Sequence, residues 1–365
     1  MENFVVSARK YRPQGFEEVV GQSHITTTLE NAIKNNHLAQ ALLFCGPRGV
    51  GKTTCARILS RMINDFDEND SNNFNIYELD AASNNSVDDI RNLVDQVRFP
   101  PQQGKYKVYI IDEVHMLSNA AFNAFLKTLE EPPPYAIFIL ATTEKHKIIP
   151  TILSRCQIYD FNRIQVSDIS GHLRTIADAE KIEAEEDALH LIAQKADGAL
   201  RDALSIFDLI VTYSSGDKVT YKNTIENLHI LDHDYYFKLI DAFTAEDIPQ
   251  ALLLFNDILG QGFDGHNFVT GLAEHFRNLM VCKDKQTIKL LEVADSVKQK
   301  YLSQSESCSP SLLLTGLNLI NICDQGYKVS QNQRLHVELL LMKLSQLNNV
   351  INLAQNGVEV KKKVV

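Results

Sequence analysis

The sequence has no long hydrophobic run. No apolar stretch in its 365 residues approaches the roughly 18 residues that a helix needs to cross a bilayer. The N-terminus also lacks the charged-then-apolar pattern of a secretory signal. These absences argue against secretion and membrane spanning, and they predict a soluble intracellular protein.

Paired metal-ligand motifs are missing as well. The chain contains six cysteines, but none has C-x-x-C spacing and none is paired with histidine in a zinc-like pattern. Neither a zinc site nor a redox motif is therefore indicated, and we expect buried free thiols in a reducing cytosol. The cysteines are Cys45, Cys55, Cys156, Cys282, Cys308 and Cys323.

Positive charge is not in excess. The chain has 36 basic and 46 acidic side chains, which leaves a formal net charge of −10. This balance argues against a protein with nucleic-acid-binding surface all around it, so any contact with DNA must be a local patch. The length predicts two or three domains of about 150 residues each.

A glycine-rich segment between an apolar strand and a helical pattern is the strongest motif. Gly46, Gly51, Lys52 and Thr53 fill the template Gly, four residues, Gly, Lys, then Ser or Thr. Backbone N–H groups of such a loop face the phosphates, the lysine reaches the β- and γ-phosphates, and the hydroxyl binds Mg²⁺. The alternative is a chance glycine-rich turn. The predicted nucleotide-binding segment comprises Gly46, Pro47, Arg48, Gly49, Val50, Gly51, Lys52, Thr53 and Thr54.

Strands and helices alternate from residue 41 to about 141, and helix follows helix after that. Alternation predicts an α/β domain with a parallel sheet, whose ligands lie at the carboxyl ends of the strands. We predict this domain at residues 1–163, a small helical domain at 164–230, a second all-helical domain at 231–355 and a disordered tail at 356–365. The polar segment 64–73 is predicted to be a surface loop.

Two carboxylates end the third predicted strand. Asp112 can hold Mg²⁺ through water, and Glu113 can polarise the water that attacks the γ-phosphate. Thr143, at the end of the fourth strand, can hydrogen-bond that water or the γ-phosphate. The alternatives are a solvated acid pair and an ordinary polar residue at a strand end.

Four further motifs carry a resemblance to a known family. Together they resemble the AAA+ ATPases of sliding-clamp loaders, and among these the bacterial gamma/tau type. The similarity covers essentially the whole chain, is strongest from Tyr11 to Leu204 and grows thin after about Asp232. The motifs are Ile111-Asp112-Glu113-Val114-His115, Phe125-Leu126-Lys127-Thr128-Leu129-Glu130-Glu131-Pro132, Ile152-Leu153-Ser154-Arg155-Cys156 and Leu200-Arg201-Asp202-Ala203-Leu204.

The resemblance implies roles for further residues. Thr143 matches the family's sensor position, and Arg155 matches the arginine finger that reaches the ATP of a neighbouring subunit. Arg201 matches the second-sensor arginine, which a helical lid carries onto the γ-phosphate of its own subunit. A guanidinium suits both tasks because it stays charged and makes bidentate phosphate contacts. Without the family, both arginines are ordinary surface residues. Adenine-side contacts are implied for Tyr11, Arg12 and Val20, within an arm that also includes Pro13 and residues 19–22.

The sequence departs from the family in one segment. Many members insert a four-cysteine zinc module after the phosphate-loop helix, whereas residues 64–73 contain no cysteine here. We therefore expect no zinc. The second all-helical domain, 231–355, corresponds to the family's collar. The longer tau form would continue beyond this collar, so a chain that stops at Val365 resembles a gamma-length or truncated product.

The implied function is that of a DNA-stimulated ATPase motor subunit in the clamp loader of the replicative polymerase, with ATP and Mg²⁺ as cofactors. Its implied partners are other loader subunits in a hetero-pentamer, the sliding clamp, primed DNA and the polymerase core, in the cytoplasm near the nucleoid. Nothing resembles a nucleotidyl-transfer site. The alternatives are an AAA+ helicase or translocase, and a non-hydrolysing stator subunit. Candidate DNA contacts are Arg91, Arg98 and Lys105, for each of which solvated surface is the competing interpretation.

Overall fold

The computed structural model describes residues 5–66, 75–101, 104–214, 218–228, 231–291, 293 and 295–353. Most of the predicted polar loop and the whole predicted tail lie outside these residues. The chain divides into two compact units, Met1–Lys218 and Val219–Val365. Within the described part of the chain, no helix combines the length and the apolar character needed to span a membrane.

The first unit is built on a five-stranded sheet. Its strand order is β2-β3-β4-β1-β5, and the paired strands run parallel. The carboxyl ends of all the strands therefore lie at one edge, which is where ligands bind in open α/β sheets. The strands are β1 Ala41–Cys45, β2 Ile76–Asp80, β3 Lys107–Asp112, β4 Ala136–Thr142 and β5 Gln157–Asp160.

Helices cover both faces of the sheet, and further helices follow the last strand in the chain. Those of the first unit are α1 Ser7–Lys10, α2 Ser23–Lys34, α3 Lys52–Met62, α4 Val87–Val97, α5 Asn119–Glu130, α6 Pro150–Leu153, α7 Val166–Glu180, α8 Glu186–Lys195 and α9 Leu200–Tyr213. Short 3₁₀ turns lie at Phe16–Glu18, Val114–Met116 and Lys145–Lys147. A two-stranded sheet pairs β6 Glu183–Ala184 with β7 Lys218–Val219.

The side chains of β1 show why the sheet needs cover on both faces. Leu42 and Phe44 belong to a core that includes residues of α2 and α3, whereas Leu43 and Cys45 belong to a core with α4 and α5. Successive side chains of a strand point to opposite faces, so an all-apolar strand must be buried on both. The predicted parallel α/β domain is confirmed.

The second unit is helical. Apolar residues from its helices form a single core, as expected for amphipathic helices that bury one face each. Its helices are α10 Tyr221–Leu228, α11 His233–Thr244, α12 Ile248–Gly260, α13 Gly265–Val281, α14 Asp295–Ser307, α15 Pro310–Tyr327 and α16 Gln333–Ser345, with a 3₁₀ turn at Ile288–Leu290. The predicted domain boundaries near 163 and 230 stay a prediction, since the compact units divide at 218.

Two local details differ from the sequence-based expectations. Helix α2 begins at Ser23, and its N-cap is Gln22, whose side chain makes no cap hydrogen bond. The Gln22 amide is instead engaged with the backbone of Asn162, to whose carbonyl it donates at 2.7 Å. Strand β5 was not predicted, because three of its four residues are exposed and only Tyr159 is buried.

Candidate nucleotide-binding site

The glycine-rich loop joins β1 to α3 in the geometry that its glycines permit. Gly49 and Gly51 have φ values of 76° and 104°, in the left-handed region that L side chains rarely adopt. A Cβ atom on Gly49 would also lie 3.0 Å from the Cβ atom of Ala199. The loop thus passes close to the start of α9, and the Arg201 backbone N–H donates to the Gly49 carbonyl at 3.4 Å.

Lys52, the first residue of α3, is 6% exposed. Its Nζ donates to the carbonyl oxygens of Gly46 at 2.8 Å and Pro47 at 2.7 Å. Burial lowers the Lys52 pKa, while the negative charges of Glu113 and Asp112 oppose that shift. The ammonium group is therefore held inside the loop beside two acidic residues.

A cavity of about 450 Å³ adjoins this loop. Its size falls within the range of roughly 300 to 1,000 Å³ that is usual for small-molecule sites. It is lined by Val6, Ala8, Arg9, Tyr11, Arg12, Pro13, Val19, Val20, Arg48, Gly49, Val50, Gly51, Lys52, Thr53, Thr54, Asp112, Glu113, Ile164, Leu200, Arg201 and Leu204. The structure thus brings most of the predicted site residues together around one space.

Asp112 and Thr53 both line the cavity and contact each other. The Thr53 hydroxyl donates to Asp112 Oδ2 at 2.7 Å. This pairing follows from the topology, because β1 and β3 run parallel and their carboxyl ends lie at the same edge of the sheet. Asp112 ends β3 there, and Thr53 follows the loop that leaves β1 there. It provides two neighbouring oxygen ligands of the kind that Mg²⁺ prefers.

Glu113 lies just past the end of β3 in a left-handed conformation, with φ of 48°. Such values are uncommon for residues other than glycine and cluster at functional sites. The backbone N–H and hydroxyl of Thr143 donate to Glu113 Oε2 at 3.3 and 3.0 Å. Thr143 is not one of the described residues that line the cavity, so its contact with the site is made through Glu113.

The N-terminal arm reaches the cavity while bound to α7 and α9. The Ser7 backbone N–H donates to Asp208 Oδ2 at 2.7 Å, and the side chains of Lys10 and Tyr11 both bind the Glu180 carboxylate. Asp208 lies on α9, and Glu180 is the last residue of α7. Tyr11 is thereby held at the cavity wall by the end of α7.

Arg12 is half-buried within a group of cations. Burial lowers its pKa, and the charge of Arg57 contributes further in the same direction, as do those of Arg201 and Arg9. Glu78 opposes this shift and pairs with Arg57 at 2.5 Å. The cavity side of the arm is therefore electropositive.

Arg155 lies apart from the cavity and does not occur among its described lining residues. Its guanidinium donates to Glu130 Oε1 at 2.6 Å and to the Thr151 carbonyl at 2.7 Å. Its side chain is 32% exposed. A residue that acts on another subunit must lie away from its own cavity, and the role in trans remains a prediction.

The three candidate DNA contacts are exposed and each has a nearby acid. Arg91 pairs with Asp88 at 3.2 Å, and Arg98 with Asp95 at 3.6 Å. Lys105 pairs with Asp65 at 2.7 Å. These are surface pairs of small energetic weight, so they neither support nor exclude a role in DNA binding.

The residues fit a nucleoside triphosphate with Mg²⁺. Five cationic side chains line the cavity against two acidic ones, namely Arg9, Arg12, Arg48, Lys52 and Arg201 against Asp112 and Glu113. An excess of positive charge suits a polyphosphate, and the two acids are those predicted to serve the metal and the attacking water.

Three family models match successive parts of the chain. Residues 21–165 match DNA polymerase III, delta subunit. Residues 168–216 match the DNA polymerase III clamp loader subunit, ATPase lid domain, and residues 219–357 match DNA polymerase III subunits gamma and tau domain III. The succession follows the chain from the sheet through the lid helices to the second unit.

Individual relatives show which of these DNA polymerase III subunits the whole chain is similar to. DNA polymerase III subunit gamma of Buchnera aphidicola is 32% identical over 363 residues, which is 95% of this chain and 98% of that protein. This chain belongs to the gamma/tau family of DNA polymerase III subunits. DNA polymerase III subunit tau of Bacillus subtilis is 39% identical over 356 residues, 93% of this chain and 63% of that protein. The chain thus spans less than two thirds of that tau-length relative.

The solved structures agree on the fold of this gamma/tau family member. A RuvB mutant of Thermotoga maritima has a TM-score of 0.50 and 22% identity, over 64% of this chain and 79% of that one. Similarity at this level shows a shared fold.

Sequence reasoning missed several cavity residues of the gamma/tau chain. Arg9 lies in a four-residue helix that has no motif, and Ile164 precedes α7. Gln22, expected on the adenine side, does not occur among the described lining residues, because its buried amide is bound to Asn162. The lining residues absent from the sequence-based prediction are Val6, Ala8, Arg9, Ile164, Leu200 and Leu204.

The cysteines of the gamma/tau chain are free thiols. Five are buried and Cys156 is half-buried. Burial raises the pKa of the Cys45 thiol to about 11, so it remains protonated and unreactive near neutral pH. The expected absence of zinc stays a prediction.

Proposed function

We propose that this chain is an ATPase motor subunit of the clamp loader of bacterial DNA polymerase III. The observation that carries the proposal is the cationic cavity, in which the phosphate loop, Asp112 and Glu113 meet. Membership of the gamma/tau family supports this assignment. The chain would work in the cytoplasm, close to the nucleoid.

The side chains divide the proposed reaction between them. Lys52 and Arg201 bind the phosphates, and Glu113 accepts a proton from the attacking water. Thr53 and Asp112 would hold Mg²⁺, which neutralises phosphate charge when bound. Tyr11, Arg12 and Val20 border the cavity on the arm side and would contact the nucleotide base.

The proposed assembly places half of each site on a neighbouring subunit. Arg155 of one subunit completes the ATP site of the next, so that ATP binding draws the subunits together and opens the sliding clamp for primed DNA. Hydrolysis then releases both. The other proposed partners are the remaining loader subunits, in a hetero-pentamer, and the polymerase core.

The test is an ATPase assay on the chain assembled with its clamp-loader partners. Turnover is measured with and without primed DNA, and with and without the sliding clamp. We expect stimulation by DNA and a further increase with the clamp. A stator would show no turnover by this subunit, and a translocase would displace strands or migrate junctions independently of the clamp; either result would refute the proposal.

A further inference from the structure

His115 lies one residue beyond Val114 in the 3₁₀ turn after β3, and only 6% of its side chain is exposed. Its Nδ1 atom is 3.0 Å from Thr142 Oγ1 and 3.4 Å from Glu113 Oε2. Its Nε2 atom is 3.3 Å from Glu144 Oε1. One imidazole ring thus connects residues at the ends of two adjacent strands.

We propose that His115 is a positioning residue that fixes the Glu113 carboxylate for the attack on ATP. The inference rests on the proposed function, because it assumes that Glu113 serves the attacking water. His115 is not one of the described residues that line the cavity, so it would act only through Glu113.

The Glu113 carboxylate needs such support. Its backbone is in the left-handed region, and the hydrogen bonds that hold its side chain converge on Oε2. The other carboxylate oxygen, Oε1, makes no hydrogen bond to any residue that the structure describes. Thr143 therefore holds one oxygen by hydrogen bonds, His115 Nδ1 lies 3.4 Å from that same oxygen, and the second oxygen is left available for water.

The outer edge of the ring is fixed in turn by Glu144. Its backbone N–H donates to Thr142 Oγ1 at 3.0 Å, and Lys147 Nζ donates to its carboxylate at 2.9 Å. His146 Nε2 lies 3.5 Å from the same carboxylate. The hydrogen bond from Lys147 is the main cause of a lowered Glu144 pKa, so Glu144 stays anionic and gives the ring a constant neighbour.

A buried histidine that only joins two strands would show the same contacts. The two interpretations differ in which ring nitrogen matters, because only Nδ1 faces Glu113. Asparagine places its amide near the Nδ1 position and glutamine near the Nε2 position, and each amide offers a donor and an acceptor. His115→Asn and His115→Gln therefore separate positioning of Glu113 from simple strand bridging.

The experiment measures kcat, KM and ATP affinity for the full chain assembled with its loader partners and primed DNA. We expect His115→Gln and His115→Leu to lower kcat by about 10- to 100-fold, as expected for misplaced catalytic groups. KM and ATP affinity should stay within about twofold, because Lys52 and the loop are unchanged, and His115→Asn should retain most of kcat.

His146→Gln is the matched control, since His146 contacts the same Glu144 but is 76% exposed and does not contact Glu113. It should behave as the unmodified chain does. Equal kcat for His115→Asn and His115→Gln would overturn the inference, even if His115→Leu does not fold. Turnover by the unmodified assembly is measured before that of any variant, and its absence would instead reject the proposed function.

Discussion

Lys52 is a buried cation that two backbone carbonyls hold. Within the described residues it forms no ion pair, although Asp112 and Glu113 are close enough to oppose the lowering of its pKa. A buried ammonium group without a direct counter-ion is costly, and a bound triphosphate would supply the missing negative charge. The local geometry therefore favours an occupied cavity.

Replacing Lys52 by alanine removes the attraction between its ammonium group and the phosphates of a bound nucleotide. We expect Lys52→Ala to weaken ATP binding by at least about 100-fold, since charge-assisted phosphate contacts are among the stronger ones. A fluorescence titration with a labelled ATP analogue measures the change. Lys34→Ala, which removes an exposed lysine paired with Glu30, is the control. Undiminished binding by Lys52→Ala would show that the loop does not hold the phosphates.

Arg155 allows a separate test, because its contacts are with Glu130 and Thr151. We expect Arg155→Ala to preserve ATP binding and to lower turnover of the assembly by about 10³-fold or more, the usual effect of an arginine supplied in trans. Binding and single-turnover hydrolysis are measured on the same preparation. Arg174→Ala, at a surface pair with Glu186, serves as control, and normal turnover by Arg155→Ala would contradict a role in trans.

At the scale of elements, sequence periodicity was sufficient wherever burial was strong. β1 and β4 are apolar along nearly their whole length, and β3 is apolar between its two charged ends. Ser86 is the N-cap of α4, with a hydrogen bond from the Asp89 N–H. β5 was not predicted, because three of its four residues are exposed and its sequence has no apolar pattern. Its pairing with β1 is a tertiary effect.

The site was predictable only where a motif has a fixed spacing. The phosphate loop and the two carboxylates follow from local sequence, and the sheet topology then brings them together. His115 and Gln22 could not be assigned in this way. Their contacts, with Glu144 and Asn162, join segments 29 and 140 residues apart in the chain, and no sequence pattern reports such a pairing.

The second unit contains a buried polar network that links three helices. His275 of α13 lies 2.9 Å from the Tyr301 hydroxyl through Nδ1 and 3.2 Å from Gln304 Oε1 through Nε2. Gln304 donates in turn to the Phe237 carbonyl at 2.8 Å. Burial is the main cause that lowers the His275 pKa to about 3, and a nearby His233 adds to it.

This lowered pKa makes the stability of the helical unit depend on pH. In the unfolded chain, histidine has a pKa near 6.5, so acidification protonates the unfolded state first and favours it. The contribution is present above about pH 6.5 and is lost as the pH falls towards 3. Between about pH 7 and pH 5 the expected loss is about 2 kcal/mol for this one group.

Hydrogen exchange of α13 amides at the two pH values measures that loss. His275→Gln keeps polar groups but cannot be protonated, so its protection should change less with pH than that of the unmodified chain. His266→Gln is the control, because His266 is more exposed and pairs with Asp324. Equal pH dependence for His275→Gln and the unmodified chain would mean that His275 does not titrate as its burial requires.

At the scale of the whole molecule, the charge distribution distinguishes between the two proposed ligands, ATP and DNA. The chain has a net charge of −10, yet the nucleotide cavity is lined by an excess of cations. A small polyanion can enter such a cavity, whereas a long one meets a mostly repulsive surface. DNA binding is therefore expected to require an assembly that gathers the few favourable patches.

We expect the isolated chain to bind primed DNA too weakly to measure at about 0.15 M salt, and the ATP-bound assembly to bind it with a steep salt dependence. Each neutralised phosphate contributes about −0.9 to the slope of log affinity against log salt concentration. Fluorescence anisotropy over a salt series gives that slope.

The same measurement tests Arg98. If Arg98 contacts a phosphate, Arg98→Ala lowers the magnitude of the slope by about one. Arg334→Ala, at a surface pair with Glu338, does not. A salt-independent affinity of the assembly would exclude phosphate contacts as the basis of DNA binding.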